Sequence, residues 1–195
     1  MIGFAVMIYT FESYWRKMIS GIRAIYERAG ENGALLCPPH PDYGGSMFDV
    51  RLERISRKLV MNRISTLRFD YRSVETALKD ARICFDWLKR EHDRVAVIGY
   101  SFGSVIASNI CGDALVLISP LRRIDGFELG DCETPKLLVI AKRDQIVSLR
   151  ESLEIARTLS EPKEIAILDT DHLYSGKFDI LAEKVSEFVV RLMKS

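Results

Sequence analysis

The sequence predicts a single α/β domain over residues 1–195, built on a mostly parallel central sheet flanked by helices. Three observations predict it. Short runs rich in Val, Ile and Leu alternate with amphipathic segments of helical period, as strand–helix–strand units do. Most of these runs are apolar throughout, the pattern of strands covered on both faces. The length of 195 residues, with 48% apolar residues, suits one hydrophobic core.

The elements follow in order. Residues 1–11 form an apolar run with no basic segment before it and no small-residue cleavage site after it. The run reads as a buried strand, with an export signal as the alternative. Residues 19–27 alternate loosely and meet the apolar residues 34–37 across the Gly-bearing turn 29–33. That arrangement predicts two antiparallel strands joined as a hairpin. Residues 48–64 carry Val50, Ile55 and Leu59 at helical spacing, with Arg and Lys between them. Residues 66–71 read as a strand. Residues 73–90 read as a long amphipathic helix with Val74, Leu78, Ala81, Phe85 and Leu88 on one face.

Apolar runs at 95–99, 114–118, 136–141 and 164–168 are each expected as a central parallel strand. Helices at 103–110, 149–159 and 180–194 fill the gaps, and the second opens on the capping box Ser148-Leu149-Arg150-Glu151. No repeat, low-complexity tract or linker interrupts the pattern.

Composition excludes several classes. A net charge of +1 gives no electrostatic reason for nucleic acid or an anionic membrane as partner. No apolar run is long enough to cross a bilayer as a helix. The four cysteines, Cys37, Cys84, Cys111 and Cys132, lack metal-ligand spacing, so no metal site is expected. Three lie in apolar runs, as reduced core residues of a cytoplasmic protein would. One Gln and three Asn stand against abundant Arg, Lys and Glu, a bias of thermophilic proteins.

The chemistry begins at Gly99-Tyr100-Ser101-Phe102-Gly103, which closes a strand and opens a helix. A G-x-S-x-G pentapeptide in that setting is a nucleophile elbow: the tight turn lifts the serine hydroxyl clear of the sheet, above a helix N-terminus. A serine needs a base to take its proton. Of the three histidines, His92 precedes the strand leading to Ser101 and so lies at the amino edge. His40 lies at the carboxyl edge but before the nucleophile in the chain. His172 follows the last strand, at the correct edge and in the correct order. A carboxylate must then hold the imidazole in one tautomer. Asp144, after the strand 136–141, gives the order Ser…Asp…His and is favoured; Asp125, one strand earlier, competes. Asp169 and Asp171 are too near His172 along the chain.

Acyl chemistry also needs N–H donors for an oxyanion. Phe102, directly after the nucleophile, supplies one. The second is expected from the loop Pro38-Pro39-His40-Pro41-Asp42-Tyr43-Gly44-Gly45; Pro41 has no N–H, which leaves Asp42 or Tyr43. His40, Arg72 and Arg122 are the candidate substrate-binding side chains. With Arg123, Lys142 and Arg143 the arginines would favour an anionic substrate if they point inward, whereas charge runs in loops are ordinarily solvated. The alternative is a solvated rim balanced by Asp70, Asp125, Glu128 and Asp131.

The chain resembles the α/β-hydrolase superfamily, and within it small dienelactone-hydrolase-like proteins without a lid. Three segments carry the likeness: His40-Pro41 with Gly44-Gly45-Ser46-Met47, Arg68-Phe69-Asp70-Tyr71-Arg72, and the elbow. With Asp144 and His172 the resemblance extends from about Gly21 to the C-terminus. It implies an α/β-hydrolase fold with no sizeable lid, and hydrolysis of esters or related acyl groups. One departure stands out. Such relatives carry a glycine-rich loop after the Arg-Phe-x-x-Arg segment, whereas Arg72 here runs straight into Ser73-Val74-Glu75, which implies a more open mouth.

The expected function is therefore a serine hydrolase acting on small acyl substrates through an acyl-enzyme, with no cofactor. An acyltransferase or thioesterase with the same triad, or a catalytically idle interaction module, are the alternatives. The sequence does not set the oligomeric state, and a homodimer stays open.

Overall fold

A computed structural model describes residues 15–194. The expected strand at residues 1–11 lies outside the described residues. Strands β1 (Trp15–Ile19) and β2 (Ile22–Glu27) form an antiparallel hairpin whose turn residues Ser20 and Gly21 have φ of 50° and 82°. Two residues at positive φ make the turn whose twist matches that of the flanking strands.

Strand β3 (Asn32–Cys37) corrects the sequence reading. It does not pair with β2. Strand β4 (Ile64–Phe69) lies between them, antiparallel to β2 and parallel to β3, with Ala24 opposite Phe69 and Leu35 opposite Leu67. Ala34, Leu35, Leu36 and Cys37 are fully buried, so β3 needs a neighbour on each side and a helix on each face. A short turn to β2 cannot supply that; a crossover through α1 (Val50–Met61) does, by bringing β4 in from outside.

The remaining strands extend the sheet in parallel: β5 (Val95–Tyr100), β6 (Ala114–Ile118), β9 (Lys136–Ala141) and β10 (Lys163–Leu168). The eight-stranded order is β1-β2-β4-β3-β5-β6-β9-β10. β5, β6 and β9 are central and buried, as expected. β10 is not: it is the edge strand, with Ile165 and Ile167 45% and 47% exposed, because no helix covers that face of its outermost position.

Helix α1 and helix α5 (Phe178–Met193) pack on one face through Leu52, Ile55 and Leu59 against Leu181, Val185 and Val189. Helices α2 (Ala77–Glu91), α3 (Phe102–Ser108) and α4 (Leu149–Thr158) cover the other, with Ala81, Leu88, Ile106 and Ile155 in its core. The Ser148 hydroxyl accepts from the Glu151 N–H at the start of α4, as the capping box requires. Buried Arg68 of β4 pairs with Glu27 of β2, which also accepts from Ser56 of α1, so the reversed strand is tied by charge as well as by packing. Between β6 and β9 the inserted elements among the described residues are the two-residue strands β7 (Arg123–Ile124) and β8 (Phe127–Glu128), a small arm and not a lid.

Candidate active site

One residue turns the chain from β5 into α3. Ser101 does so with φ 53° and ψ −117°, a conformation rare for an L-residue. The turn closes because its flanks lack side chains. A Cβ on Gly99 would stand 2.1 Å from the Gly103 carbonyl oxygen, and one on Gly103 would stand 2.2 Å from that of Cys37. The elbow is thus pressed against the end of β3. The Ser101 N–H donates to the Ile118 carbonyl at 2.9 Å, which anchors it to β6.

His172, in the loop after β10, has Nε2 3.1 Å from Ser101 Oγ. Its Nδ1 stands 2.7 Å from Oδ2 of Asp144, which follows β9. A carboxylate only accepts, so the proton sits on Nδ1 and Nε2 faces the serine hydroxyl as an acceptor. Both side chains are almost fully buried, 5% and 1% exposed. Burial pushes the Asp144 carboxyl up, but hydrogen bonds from His172 and from the Val147 and Ile146 N–H groups outweigh it and hold it below the usual carboxylate range. The three side chains singled out in the sequence are brought together at the carboxyl edge of the sheet. His92 lies at the amino end, bonded to the Tyr26 hydroxyl and the Glu31 carbonyl.

Sequence reasoning missed the residues behind these three side chains. The Ser119 hydroxyl donates to Asp144 Oδ2 at 3.0 Å and lies 3.0 Å from the Tyr174 hydroxyl, which donates to the Val139 carbonyl. The Tyr100 hydroxyl donates to the His172 carbonyl at 2.9 Å. Their signal was position: Ser119 directly follows β6, and Tyr174 lies two residues past His172.

The loop after β3 corrects a second expectation. Pro41 starts a short 3-10 turn that directs the next two N–H groups back onto its cap. The Asp42 N–H donates to His40 Nδ1 and the Tyr43 N–H to the His40 carbonyl, each at 3.2 Å. Neither is left for an oxyanion. The main-chain N–H of His40 itself, and that of Phe102 at the first position of α3, have no acceptor among the described residues. The loop is held from below by the Arg-Phe-Asp-Tyr segment. Arg68 donates to the Met47 carbonyl, Asp70 accepts the Met47 N–H at 2.8 Å, and the Tyr71 hydroxyl donates to the Pro38 carbonyl.

No family model matches the chain. An uncharacterised protein of Rickettsia prowazekii is 22% identical over 190 residues, covering 83% of this chain and 80% of its own. Among solved structures, an α/β serine hydrolase homologue from Coxiella burnetii superposes with a TM-score of 0.77 at 20% identity, covering 86% of this chain and 91% of that one. A lidless α/β serine hydrolase from Xanthomonas campestris gives 0.77 at 21% identity over 87% and 88%. Est1E from Butyrivibrio proteoclasticus gives 0.75 at 15% identity over 94% and 100%. The chain has the lidless α/β-hydrolase fold.

In this α/β-hydrolase fold a depression of about 500 Å³ opens between the loop after β3 and the β7–β8 arm. His40 and Asp42 line one side, Val74 and Glu75 another, and the arm turn 125–127 the third. His40 links the depression to the elbow, packing its ring edge-on against Phe102 with centroids 4.8 Å apart, while Ser101, Asp144 and His172 do not line it. The expected cations do not line it. Arg72 is spent on buried Asp80, through its main-chain N–H and through its guanidinium. Arg143 pairs with Asp169 at 3.0 Å, and Arg122 is exposed outside the depression. Three carboxylates line it instead, and the Ser73 hydroxyl beside Glu75 holds that one below its ordinary range. Of the three expected substrate-binding side chains only His40 faces the depression, and both its ring nitrogens are already bonded.

The described residues hold no group of His, Cys, Asp or Glu suited to a metal ion. Cys37 and Cys84 are buried and Cys111 and Cys132 half-buried, all as free thiols.

Proposed function

We propose that the chain is a serine hydrolase that cleaves small esters or related acyl groups through an acyl-enzyme. One observation carries the reading: Ser101 Oγ, strained onto an elbow, lies 3.1 Å from His172 Nε2 while Asp144 holds Nδ1 at 2.7 Å. His172 takes the Ser101 proton as Oγ attacks the acyl carbon. The negative charge that develops on the acyl oxygen is met by the N–H groups of Phe102 and His40. His172 then returns the proton to the leaving group, and water repeats the sequence to release the acid. Asp144 stays ionised and fixes the imidazole tautomer throughout. The short arm, in place of a lid, favours small, water-soluble acyl groups over long lipid chains. A structural relative named as an esterase, from Pyrococcus furiosus, is consistent with this reading.

The test is labelling with a fluorophosphonate, followed by peptide mapping. Modification of Ser101 is expected, and Ser101→Ala should lose labelling together with on the order of 10⁴ or more in kcat on a nitrophenyl ester. An unlabelled wild-type protein would remove Ser101 as nucleophile and overturn the hydrolase reading.

A further inference from the structure

The structure holds a second aspartate–histidine pair that the triad does not use. His40 Nε2 stands 2.6 Å from Asp125 Oδ2, across 85 residues of sequence. We propose that Asp125 is a positioning residue: through the His40 ring it fixes the main-chain N–H of His40 as an oxyanion donor, and it carries no proton in the reaction. The proposal rests on the serine-hydrolase reading above.

The geometry excludes acid–base work for this histidine. Its Nδ1 accepts the Asp42 N–H, so the ring proton sits on Nε2 and is donated to Asp125. No ring nitrogen is left for substrate or for Ser101. The imidazole side chain is 8% exposed and wedged between Phe102 and Tyr43, with ring centroids 4.8 Å from each. It therefore touches the residue that supplies one proposed donor and belongs to the residue that supplies the other. The ring is also tied to the loop main chain by the Asp42 N–H on Nδ1, so freeing the ring loosens the loop that carries the His40 N–H.

Asp125 is itself held firmly. It is the first turn residue of the β7–β8 arm, with φ 47°, followed by Gly126 at φ 82°. The arm is pinned to the body by Phe127 against Phe102, 5.9 Å between ring centroids, and by Asn109 donating to the Glu128 carbonyl at 2.9 Å. Asp125, His40, Phe102 and Phe127 thus form a closed circuit of contacts from arm to loop to elbow and back. A displacement of about an ångström at an oxyanion donor costs far more in rate than in binding, because the donor meets the transition state more closely than the substrate.

Two substitutions test this without disturbing the turn, since Asn-Gly and Gly-Gly both suit it. Asp125→Asn keeps an oxygen that accepts from Nε2; Asp125→Gly removes the acceptor. The carboxylate side chain is 47% exposed, so neither change strands a buried charge. On 4-nitrophenyl acetate, Asp125→Gly should lower kcat by about 10- to 100-fold with KM changed less than about threefold. An aryl boronic acid, which forms a tetrahedral adduct on the serine, should bind Asp125→Gly more weakly by the same factor as kcat falls. Asp125→Asn should stay within about threefold of wild type on both measures.

Wild-type kcat in Asp125→Gly, a loss carried by KM alone, or equal impairment in Asp125→Asn would each overturn the positioning role. Failure of fluorophosphonate to label the wild-type serine would overturn the hydrolase reading and this inference with it. Normal labelling with an indifferent Asp125→Gly overturns this inference alone.

Discussion

Asp144 meets His172 with one oxygen of a carboxylate whose acceptor capacity is filled: His172 and Ser119 on Oδ2, the Ile146 and Val147 N–H groups on Oδ1. Such a group cannot turn to another partner. Asp144→Asn would present an amide at a position built for an acceptor and favour the wrong imidazole tautomer. Initial rates on a nitrophenyl ester should fall by about 10⁴ in kcat. Asp125→Asn should leave rates near wild type, and the reverse ranking would transfer the acid to the end of β6.

The same hydrogen bonds predict a pH dependence of stability. The folded-state pKa of Asp144 is depressed, so its stabilisation is complete above the ordinary aspartate value of about 3.9 and is lost as pH falls toward the folded value. Urea midpoints between about pH 6 and pH 3 should drop more steeply for wild type than for Asp144→Asn. Parallel curves would show that the carboxyl gains nothing on folding.

Gly103 has no room for a methyl group, with the Cys37 and Pro38 carbonyl oxygens 2.2 and 2.5 Å from the Cβ position. Both obstacles are backbone. Gly103→Ala should cost about 1–3 kcal/mol or more and lower the melting temperature by several degrees. It should also slow serine labelling, because the displaced loop carries the His40 N–H. An unchanged melt would show that the elbow and the end of β3 are not in contact.

Asp42, Glu75 and Asp125 line the depression beside His40, where no arginine does, which predicts discrimination against an anionic substrate. In a matched set of small esters, one bearing a carboxylate should show the lowest kcat/KM at low salt. The gap to the neutral ester should close as salt screens the field. A carboxylate ester that outpaces the neutral one would restore the arginines to the site.

The sequence by itself determined the fold class, the elbow at Ser101 and the strand ends that carry Asp144 and His172. These are local signals. A buried parallel strand is an unbroken apolar run, a strand-to-helix turn around serine needs its two glycines, and catalytic groups fall just past strand ends. Three histidines were few enough for position to separate them. Tertiary structure alone decided the rest. The β2–β3 hairpin failed because strand neighbours are chosen by which faces must be buried, and β4 arrives from 27 residues beyond Cys37 to bury both. The donors at Asp42 and Tyr43 failed because a proline-initiated turn bends those N–H groups onto their own cap. Arg72 failed because its partner Asp80, one turn into α2, is buried and needs the charge. In each case the deciding contact joins groups whose meeting depends on the packed arrangement, and a linear pattern of residue types carries no record of which polar groups that packing leaves without water.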